Sequence, residues 1–367
     1  MRICFLNARP LRIPFRYGFS HASANRAVSE SVLVVVETEN GVRGYGESCP
    51  RPYVTQERLD STVKKIKEIS HYIFQQKWSA SLLVEWADTH QQFINRYPAA
   101  WCAIELALTD ALCKENNLSV EELLGFRQLI PQFQYSAVLG TGSDKAFLAT
   151  LGQYQKLGFM DFKIKLSGDI GLDQVRIKTI KEKLPTARVR VDANNYFSTP
   201  AIALNYFETL HEHLFAIEEP LRARDFKQLK KFSTGVNCKI ILDECLLRSD
   251  DFRHFERFED QWIPNLRISK LGGLIRSYEM LGNAQKMGLP VVIGSHVGET
   301  SLLTRAAMSL ASQAPDLVVA MEGGFSDYLL TEDIISKPLR FGKNGLLVTH
   351  ENIGDSFGLG NYTGAHP

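Results

Sequence analysis

Three acidic residues at the ends of three successive apolar runs constrain the fold of this chain most strongly. Asp192 ends the run Arg-Val-Asp, Glu218 follows Ala-Ile, and Asp243 follows Ile-Ile-Leu, at steps of 26 and 25 residues. A strand, a helix and two loops of a parallel α/β fold fill such a step. In a closed (β/α)₈ barrel, functional side chains gather at the carboxyl ends of the strands. The spacing therefore predicts three carboxylates at one rim, an oxygen-rich site suited to a hard divalent cation.

Short apolar segments that alternate with amphipathic stretches predict eight strands in the region 129–324. The predicted strands cover residues 133–139, 161–166, 187–192, 214–218, 239–243, 262–268, 289–294 and 317–322. Amphipathic stretches such as 173–183 and 201–210 predict helices between them. This alternation favours a (β/α)₈ barrel over an open doubly wound sheet, because no Gly-x-Gly-x-x-Gly follows the first strand.

The first 128 residues follow a different pattern and predict an α+β domain. The β-branched segment 31–38 and the turn signal Asn40-Gly41 predict an antiparallel hairpin with residues 42–47. Residues 56–96 predict charged helices interrupted near Ser79, and residues 98–113 predict a helix whose small apolar residues suit close packing.

The predicted organisation is therefore an α+β domain over residues 1–128 and a barrel over residues 129–324. The tail, residues 325–367, returns to mixed strand and loop character with a turn signal at Asn344-Gly345. We expect this tail to pack back on the first domain.

The composition excludes several classes of protein. The chain has 367 residues, of which 44% are hydrophobic, and its 42 Lys and Arg balance 41 Asp and Glu. Such a balance argues against nucleic acid or an anionic membrane as a partner. Arg2 and Arg9 interrupt any signal-peptide stretch, and no apolar run reaches the length of a membrane span. The six cysteines form no Cys-x-x-Cys pair, which is typical of reduced thiols in a cytoplasmic protein.

Two lysines precede the carboxylates by one barrel step. Lys163 and Lys165 point the same way if they lie on a strand, and Lys165 is 27 residues before Asp192. A pair of solvated lysines is the ordinary interpretation of Lys-x-Lys. Beside a metal site, however, the cation and the neighbouring ammonium lower a lysine's pKa and allow it to act as a base.

Taken in order, these motifs resemble those of the enolase superfamily. The motifs are Gly44-Tyr45-Gly46-Glu47, Ala103 to Asp110, Lys163-x-Lys165, Asp192-Ala193-Asn194, Glu218-x-Pro220, Asp243-Glu244 and Gly272-Gly273. The chain is most similar to the muconate-lactonizing and mandelate-racemase branches, over nearly its whole length. The resemblance implies a capping domain, a modified (β/α)₈ barrel, and a lyase or isomerase that acts on a small carboxylic acid.

The resemblance also assigns roles to the first half of the site. It implies a Mg²⁺ held by Asp192, Glu218 and Asp243, which binds the substrate carboxylate. Lys165 would remove the proton α to that carboxylate, and Lys163 would contact the same group. Strand alternation gives Glu219 and Glu244 the opposite direction, so that only one acid of each pair is expected to be a ligand.

The sixth strand departs from the family pattern. A catalytic lysine stands at the place of Arg267 in the muconate-lactonizing branch, and an aspartate stands there in the mandelate-racemase branch. Arginine is always protonated and is a poor base, but it is a good partner for a carboxylate or an oxyanion. We expect Arg267 to face the substrate and Lys270 to face outward or towards Glu244. Lys270 nevertheless stays a catalytic candidate, because the sequence leaves open which of Arg267, Lys270 and His296 faces the substrate.

The last two strands and the capping loops supply further candidates. His296 lies 53 residues after Asp243, two barrel steps, and would be an acid, with Glu299 as a rival at the same rim. Glu322 ends the eighth strand, where the Asp-x-Asp signature of the dipeptide epimerases is absent, which argues against a dipeptide. The remaining candidates for substrate contact, which together suggest a second anionic or polar group, are Arg16, Tyr17, Phe19, Tyr53 and Asn194.

The sequence alone does not decide between several reactions and classes of protein. Arg267 lowers the expectation of a two-lysine racemase or epimerase and favours dehydration or cycloisomerisation. The alternatives are a metal-dependent aldolase or hydrolase on the same barrel, and a barrel that binds an acid without turning it over. A homo-oligomer is compatible with the sequence.

Overall fold

The computed structural model describes residues 1–21, 24–353 and 357–364, without the side chains of residues 17–21, 24–26, 327 and 352. The chain begins with five strands: β1 (Ile3–Leu11), β2 (Pro14–His21), β3 (Ala24–Val28), β4 (Ser31–Thr38) and β5 (Arg43–Ser48). The antiparallel sheet has the order β1-β4-β5, and β2 pairs with β3 separately. The predicted hairpin is confirmed, since Gly41 in its turn has a φ of 79°.

Five helices complete the N-terminal domain. They are α1 (Leu59–Gln75), α2 (Ala80–Thr89), α3 (Gln91–Arg96), α4 (Pro98–Asn116) and α5 (Val120–Leu124). The predicted interruption near Ser79 is confirmed: the Ser79 hydroxyl accepts a hydrogen bond from the Leu82 amide at 3.1 Å and caps α2. Helix α4 begins with proline at its first turn and ends at Asn117 in a left-handed conformation.

Two glycines allow α4 to lie directly on β5. A Cβ atom at Gly44 would approach the carbonyl oxygen of Ala107 to 2.2 Å, and one at Gly46 would approach that of Ala103 to 2.0 Å. Glycine on the strand and alanine on the helix therefore bring the two backbones together. This contact confirms the close packing predicted from the small residues of the helix.

Among the described residues, nine further strands lie in the barrel region and one lies in the tail. They are β6 (Gln132–Gln134), β7 (Ala137–Leu139), β8 (Asp161–Lys165), β9 (Arg188–Asp192), β10 (Ala216–Glu218), β11 (Lys239–Leu242), β12 (Trp262–Leu266), β13 (Val291–Ile293), β14 (Val318–Met321) and β15 (Leu346–Val348). Strands β7 to β14 form one parallel sheet in sequence order. Its two ends meet where the Ser136 amide donates to the Met321 carbonyl at 2.9 Å, beside a parallel bridge between Tyr135 and Met321. The arrangement is that of a (β/α)₈ barrel.

Helices connect the barrel strands and follow the last one. They are α6 (Asp144–Lys156), α7 (Ile170–Lys183), α8 (Pro200–Phe207), α9 (Phe226–Ser233), α10 (Ile268–Leu271), α11 (Leu274–Lys286), α12 (Ser301–Ala311), α13 (Ser326–Leu329) and α14 (Thr349–Asn352). Short 3₁₀ helices cover His211–His213, Ser249–His254, Pro315–Leu317 and Lys343–Gly345. In the part of the chain that the structure describes, no helix is long and apolar enough to cross a membrane.

The first predicted barrel strand, 133–139, is wrong in its extent. The chain breaks there into β6 and β7, and β6 pairs antiparallel with β15 of the tail instead of joining the barrel. A single apolar run in the sequence does not reveal that its two halves bond to different partners.

The tail contacts both parts of the molecule. The Leu359 amide donates to Asp110 on α4 at 2.8 Å, and the ring of Tyr362 stacks on Tyr45 of β5 with centroids 4.2 Å apart. These contacts support the proposed division, in which the tail belongs with domain 1–128, for residues 357–364 of the described part.

A buried glutamate on α4 joins the N-terminal domain to the barrel. Oε1 of Glu105 accepts the amides of Leu274 at 2.6 Å and Ile275 at 3.1 Å, at the start of α11. A carboxylate at a helix N-terminus is stabilised by the helix dipole. Burial nevertheless raises the pKa of Glu105 to about 7, against the two amides, which lower it.

We predict that Gly46→Ala lowers the free energy of unfolding by about 1–3 kcal/mol, because the new methyl group collides with the backbone of α4. Urea unfolding followed by circular dichroism measures the change. Gly152→Ala is the matched control, since Gly152 lies on α6 with open space around it, and alanine there should leave stability unchanged or raise it by up to about 1 kcal/mol. Equal stability of the two variants would contradict the packing argument.

A second prediction concerns pH. Since the pKa of Glu105 rises from 4.5 in the unfolded chain to about 7 on folding, its contribution to stability is full below pH 4.5 and is lost as pH rises through 7. Glu105→Gln keeps an acceptor oxygen for the two amides but cannot ionise. Between pH 4.5 and 8 the free energy of unfolding of the wild type should fall by up to about 3 kcal/mol more than that of the variant. Parallel pH dependences in urea unfolding would show that Glu105 does not titrate on unfolding.

Candidate active site

The barrel strands bring the predicted lysines and carboxylates together at their carboxyl ends. In the parallel register, Lys165 is opposite Asp192, and Asp192 is opposite Glu218. Lys163, two residues before Lys165, shares its face of the strand. The side chains that the sequence placed 26 residues apart are therefore neighbours across adjacent strands.

Lys163 lies at the centre of the cluster. Its Nζ is 2.7 Å from Glu218 Oε2, 2.9 Å from Glu322 Oε1 and 3.0 Å from Asp192 Oδ2, and the side chain is 2% exposed. Burial alone would lower the pKa of Lys163, but the three carboxylates outweigh it and raise that pKa. Lys163 is thus a fixed positive charge inside the barrel.

Lys165 has fewer partners than Lys163. Its Nζ lies 2.5 Å from Asp192 Oδ2 and 3.1 Å from Asn194 Oδ1, and it faces the cavity at the barrel mouth. Asp192 is held in turn, because its Oδ1 accepts the Asn194 amide at 2.9 Å. Of the two lysines, Lys165 is therefore the one whose amine is placed to react with a ligand in the cavity.

The pKa values of the carboxylates differ with their partners. Burial would raise the pKa of Asp192, but Lys163 and Lys165 lower it below its usual range. The pKa of Glu218 instead rises to about 7, first through burial and then through the charge of Asp192. The pKa of Glu322 is lowered against burial by Lys163, Arg190 and Arg267.

Asp243 is held by the two cations of the sixth strand region. Its carboxylate pairs with Arg267 Nη2, and its Oδ1 accepts Lys270 Nζ at 2.9 Å. Lys270 also donates to the carbonyls of Asp243 at 2.7 Å and Asn265 at 2.8 Å. The expected outward direction of Lys270 is wrong, because β12 ends at Leu266 and Lys270 lies on the single-turn helix α10. Strand alternation does not apply beyond that point.

The two acids that follow Glu218 and Asp243 differ from each other. Glu219, at a φ of 40°, turns away and accepts the amides of Asp243 at 2.6 Å and Cys245 at 2.7 Å. Glu244 is buried but lines the cavity, and its Oε2 has no hydrogen-bond partner in the structure. The expectation that Glu244 points away from the site is therefore wrong, since β11 already ends at Leu242.

The seventh strand leads into a loop that carries His296 and Glu299. Glu299 Oε1 accepts the His296 amide at 2.6 Å and lies 3.6 Å from Nδ1 of the same residue. Burial raises the pKa of Glu299 to about 7, opposed by the His296 amide. Glu47 of the capping hairpin accepts the hydroxyl of Thr300 at 2.5 Å and holds this loop from the other domain.

A cavity of about 450 Å³ lies over these groups. Of the site residues predicted from the sequence, those that line this cavity are Tyr53, Lys163, Lys165, Asn194, Arg267, His296, Glu299 and Glu322. The opposite end of the cavity is apolar and is formed by Val138, Leu139, Phe147, Phe325 and Leu329. A charged end and an apolar end suit an acid that carries an apolar group.

Some predicted residues are not part of this cavity. Lys270 lines a different cavity, and Arg16 is exposed, with its Nη2 donating to the Thr331 carbonyl at 3.3 Å. The side chains of Tyr17 and Phe19 lie outside the described residues. For these residues the assigned contact with substrate stays a prediction.

The donor set fits a hard divalent cation by its chemistry and its register. Asp192, Glu218 and Asp243 are buried carboxylates at the ends of three consecutive strands, and Mg²⁺ prefers such oxygen ligands. As the side chains stand, no three His, Cys, Asp or Glu residues within 1–21, 24–353 and 357–364 are grouped closely enough to hold a metal ion. Lysine and arginine neighbours pair with each of the three carboxylates instead.

Family models match both parts of the chain. The model of the mandelate racemase/muconate lactonizing enzyme N-terminal domain matches residues 3–125, and that of the enolase C-terminal domain-like family matches residues 146–360. The chain belongs to the mandelate racemase/muconate lactonizing enzyme family of the enolase superfamily. The resemblance drawn from the motifs is confirmed.

Characterised relatives in this family are similar over most of their length. The hydrophobic dipeptide epimerase of Enterococcus faecalis is 27% identical over 325 residues, which cover 87% of this chain and 90% of that protein. The N-succinyl-L-Arg/Lys racemase of Bacillus cereus is 25% identical over 348 residues, which cover 94% and 89%. The crystal structure of the Enterococcus faecalis dipeptide epimerase with Mg and L-Leu-L-Tyr has a TM-score of 0.86 at 24% identity, covering 98% of this chain and 99% of that one.

Two features of the site were not predicted from the sequence. Arg190 bridges Glu322 at 3.0 Å and Asp161 at 2.6 Å inside the barrel. It stands two residues before Asp192, so strand alternation could have placed it. The apolar end of the cavity had no local signal, because its residues come from α6 and from the segment after β14.

Proposed function

We propose that this enzyme removes the proton α to the carboxylate of a small acid, with Lys165 as the base. The observation that carries the proposal is the position of Lys165 at the cavity, beside the buried cluster of Lys163 and the three carboxylates. A carbon acid next to a carboxylate is very weak, and its enediolate places further negative charge on the oxygens. A site that concentrates positive charge there stabilises the intermediate more than the substrate.

Asp192, Glu218 and Asp243 would hold one Mg²⁺, which would supply positive charge to the substrate carboxylate. The Mg in the solved structure of the dipeptide epimerase supports this choice of cation.

The two lysines have separate tasks in this mechanism. Lys163 stays protonated because of its carboxylate partners, and its ammonium group contacts the substrate carboxylate throughout. Lys165 would act as the base, since it reaches the cavity with fewer carboxylate partners than Lys163. The Asn194 amide oxygen, 3.1 Å away, orients Lys165 Nζ towards the α-carbon.

Arg267 limits the chemistry on the other face. Its guanidinium pairs with Asp243 and lies 3.4 Å from Glu218, and it is always protonated. It can hold an oxyanion but cannot accept a proton from carbon. One base on one face favours dehydration or cycloisomerisation, in which His296 would protonate the leaving group.

Epimerisation or racemisation is the second candidate, and the names of the two characterised relatives favour it. It requires a second group that exchanges a proton with the opposite face of the α-carbon. His296 is the cavity residue suited to that role. An aldolase or hydrolase is not favoured, since neither needs the paired lysines.

The apolar end of the cavity narrows the substrate class. The Lys and Arg residues that line the cavity in the described part of the chain are Lys163, Lys165 and Arg267, all at the charged end. Phe147, Phe325 and their apolar neighbours at the other end favour a substrate with an apolar group over one with a second anionic group. Dehydration of a β-hydroxy acid with such a group fits the site. Cycloisomerisation also fits, in the direction in which an internal ester loses its α-proton and then its β-carboxylate, so that the ring opens.

The remaining expectations stay proposals. All six cysteines are free thiols, which supports a cytoplasmic location. A small carboxylate is the proposed partner, and a homo-oligomer is compatible with the fold.

We predict that Lys165→Ala slows α-proton exchange by about 10²–10⁴-fold or more, because the variant lacks the base. The measurement is ¹H NMR of a panel of apolar-substituted chiral carboxylic acids in deuterated water with Mg²⁺. Lys178→Ala, which changes an exposed lysine on α7, is the control and should exchange as the wild type does. Exchange of one enantiomer indicates a single base, whereas exchange of both indicates a second. Unchanged exchange in Lys165→Ala, or none with any acid in the wild type, would overturn the proposal.

The metal ligands give another prediction. Asp192→Asn should weaken Mg²⁺ binding at least about tenfold, or ~1.4 kcal/mol, because a ligand charge is removed. Isothermal titration calorimetry with Mg²⁺ measures this, and Asp250→Asn, at an exposed position, should match the wild type. Identical affinities of all three proteins would remove Asp192 from the metal site.

A further inference from the structure

A second cavity lies between the capping domain and the barrel. Its volume is about 580 Å³. Its walls come from the segment after β5, from α1 and α3, and, on the barrel side, from the loop that carries Arg248 and from α11, which carries Arg276. It shares no lining residue with the cavity over Lys165.

Arg276 is a buried cation whose N–H groups have only some of their hydrogen-bond partners. Its side chain reaches from α11 into the domain interface, where Nη2 donates to Asn95 Oδ1 at 2.8 Å, and the residue is 1% exposed. Its Nε is buried without a hydrogen-bond partner, and within the described residues its guanidinium forms no ion pair. The charges of Glu279 and Glu105 favour the protonated guanidinium, but neither carboxylate forms an ion pair with it. A bound anion could therefore complete the contacts of this buried cation.

Other residues that line this cavity also favour an anionic ligand. Arg96 and Arg248 are exposed at the cavity, and Thr62 Oγ1 is buried without a partner. Glu57 is the acidic residue among the lining residues, and its carboxylate is occupied by the amides of Ala99 at 2.9 Å and Ala100 at 3.1 Å. The wall therefore offers guanidinium groups and a hydroxyl donor with little negative charge to oppose a ligand.

We propose that this cavity binds a small oxyanion of the phosphate type. Guanidinium groups match the geometry of phosphate oxygens, and the arginines here come from both domains. The bound oxyanion would accept from Arg276 of the barrel and from Thr62 of the capping domain. It would thereby stabilise the docking of one domain on the other, independently of the proposed reaction.

The test is calorimetric titration with inorganic phosphate at about 10 mM and constant ionic strength, together with thermal unfolding. We expect one phosphate to bind per chain and to raise the melting temperature. Arg248→Ala should weaken binding at least about fivefold, and Arg276→Gln should abolish it. Arg253→Ala, which removes an exposed arginine outside the cavity, is the matched control and should bind as the wild type does.

A further variant separates this site from the proposed catalytic one. Lys165→Ala should bind phosphate unchanged, whereas loss in that variant would place the ion over Lys165 and overturn the proposal. Absence of binding to the wild type, or equal binding by Arg248→Ala, would also overturn it. If Arg276→Gln does not fold, Thr62→Val replaces it, and a weakened affinity is again expected.

Discussion

The barrel depends on Lys163, a buried ammonium group between carboxylates from three strands. Asp192, Glu218 and Glu322 lie within 3.0 Å of its Nζ. Without that charge the acids would repel one another in a region from which water is excluded. Removing one partner of a buried ion pair costs about 3–5 kcal/mol, because the other charge is left uncompensated. The groups that suit the proposed chemistry thus also neutralise one another inside the barrel.

The capping domain completes this arrangement by holding the ends of barrel helices. Glu105 of α4 accepts the first amides of α11, and Glu47 of β5 accepts Thr300 at the start of α12. Both glutamates are buried and carry raised pKa values, about 7 for Glu105 and about 8 for Glu47. The loop with His296 and Glu299 lies directly before Thr300. The position of those two side chains at the cavity therefore depends on a contact from the other domain.

The sequence was sufficient to predict the barrel, its carboxylate rim and the two lysines, because the spacing of about one βα unit and the alternation within a strand are local properties. It was insufficient where a strand ends. Strands β11 and β12 stop at Leu242 and Leu266, so that Glu244 turns into the cavity and Lys270 turns onto Asp243. Hydrogen bonding with the neighbouring strand decides those ends, and one chain segment does not show it. The apolar end of the cavity needs α6 and the segment after β14 to meet, which is a property of the whole fold.

Arg267 is the residue on which the chemical outcome depends. At the equivalent place a lysine can exchange its proton, whereas a guanidinium keeps its charge and fixes Asp243 and Glu218 by ion pairing. The cavity is therefore lined by a permanent cation, Arg267, and by Lys165, the proposed base. A substrate bound between them would be deprotonated from one side, by Lys165, and its enediolate would be stabilised from both sides. If His296 does not exchange protons with the α-carbon, the enediolate continues by expelling a β-substituent, either a hydroxyl group lost as water or the carboxylate of an internal ester whose ring then opens. The relation to racemases would then be limited to the abstraction of the α-proton.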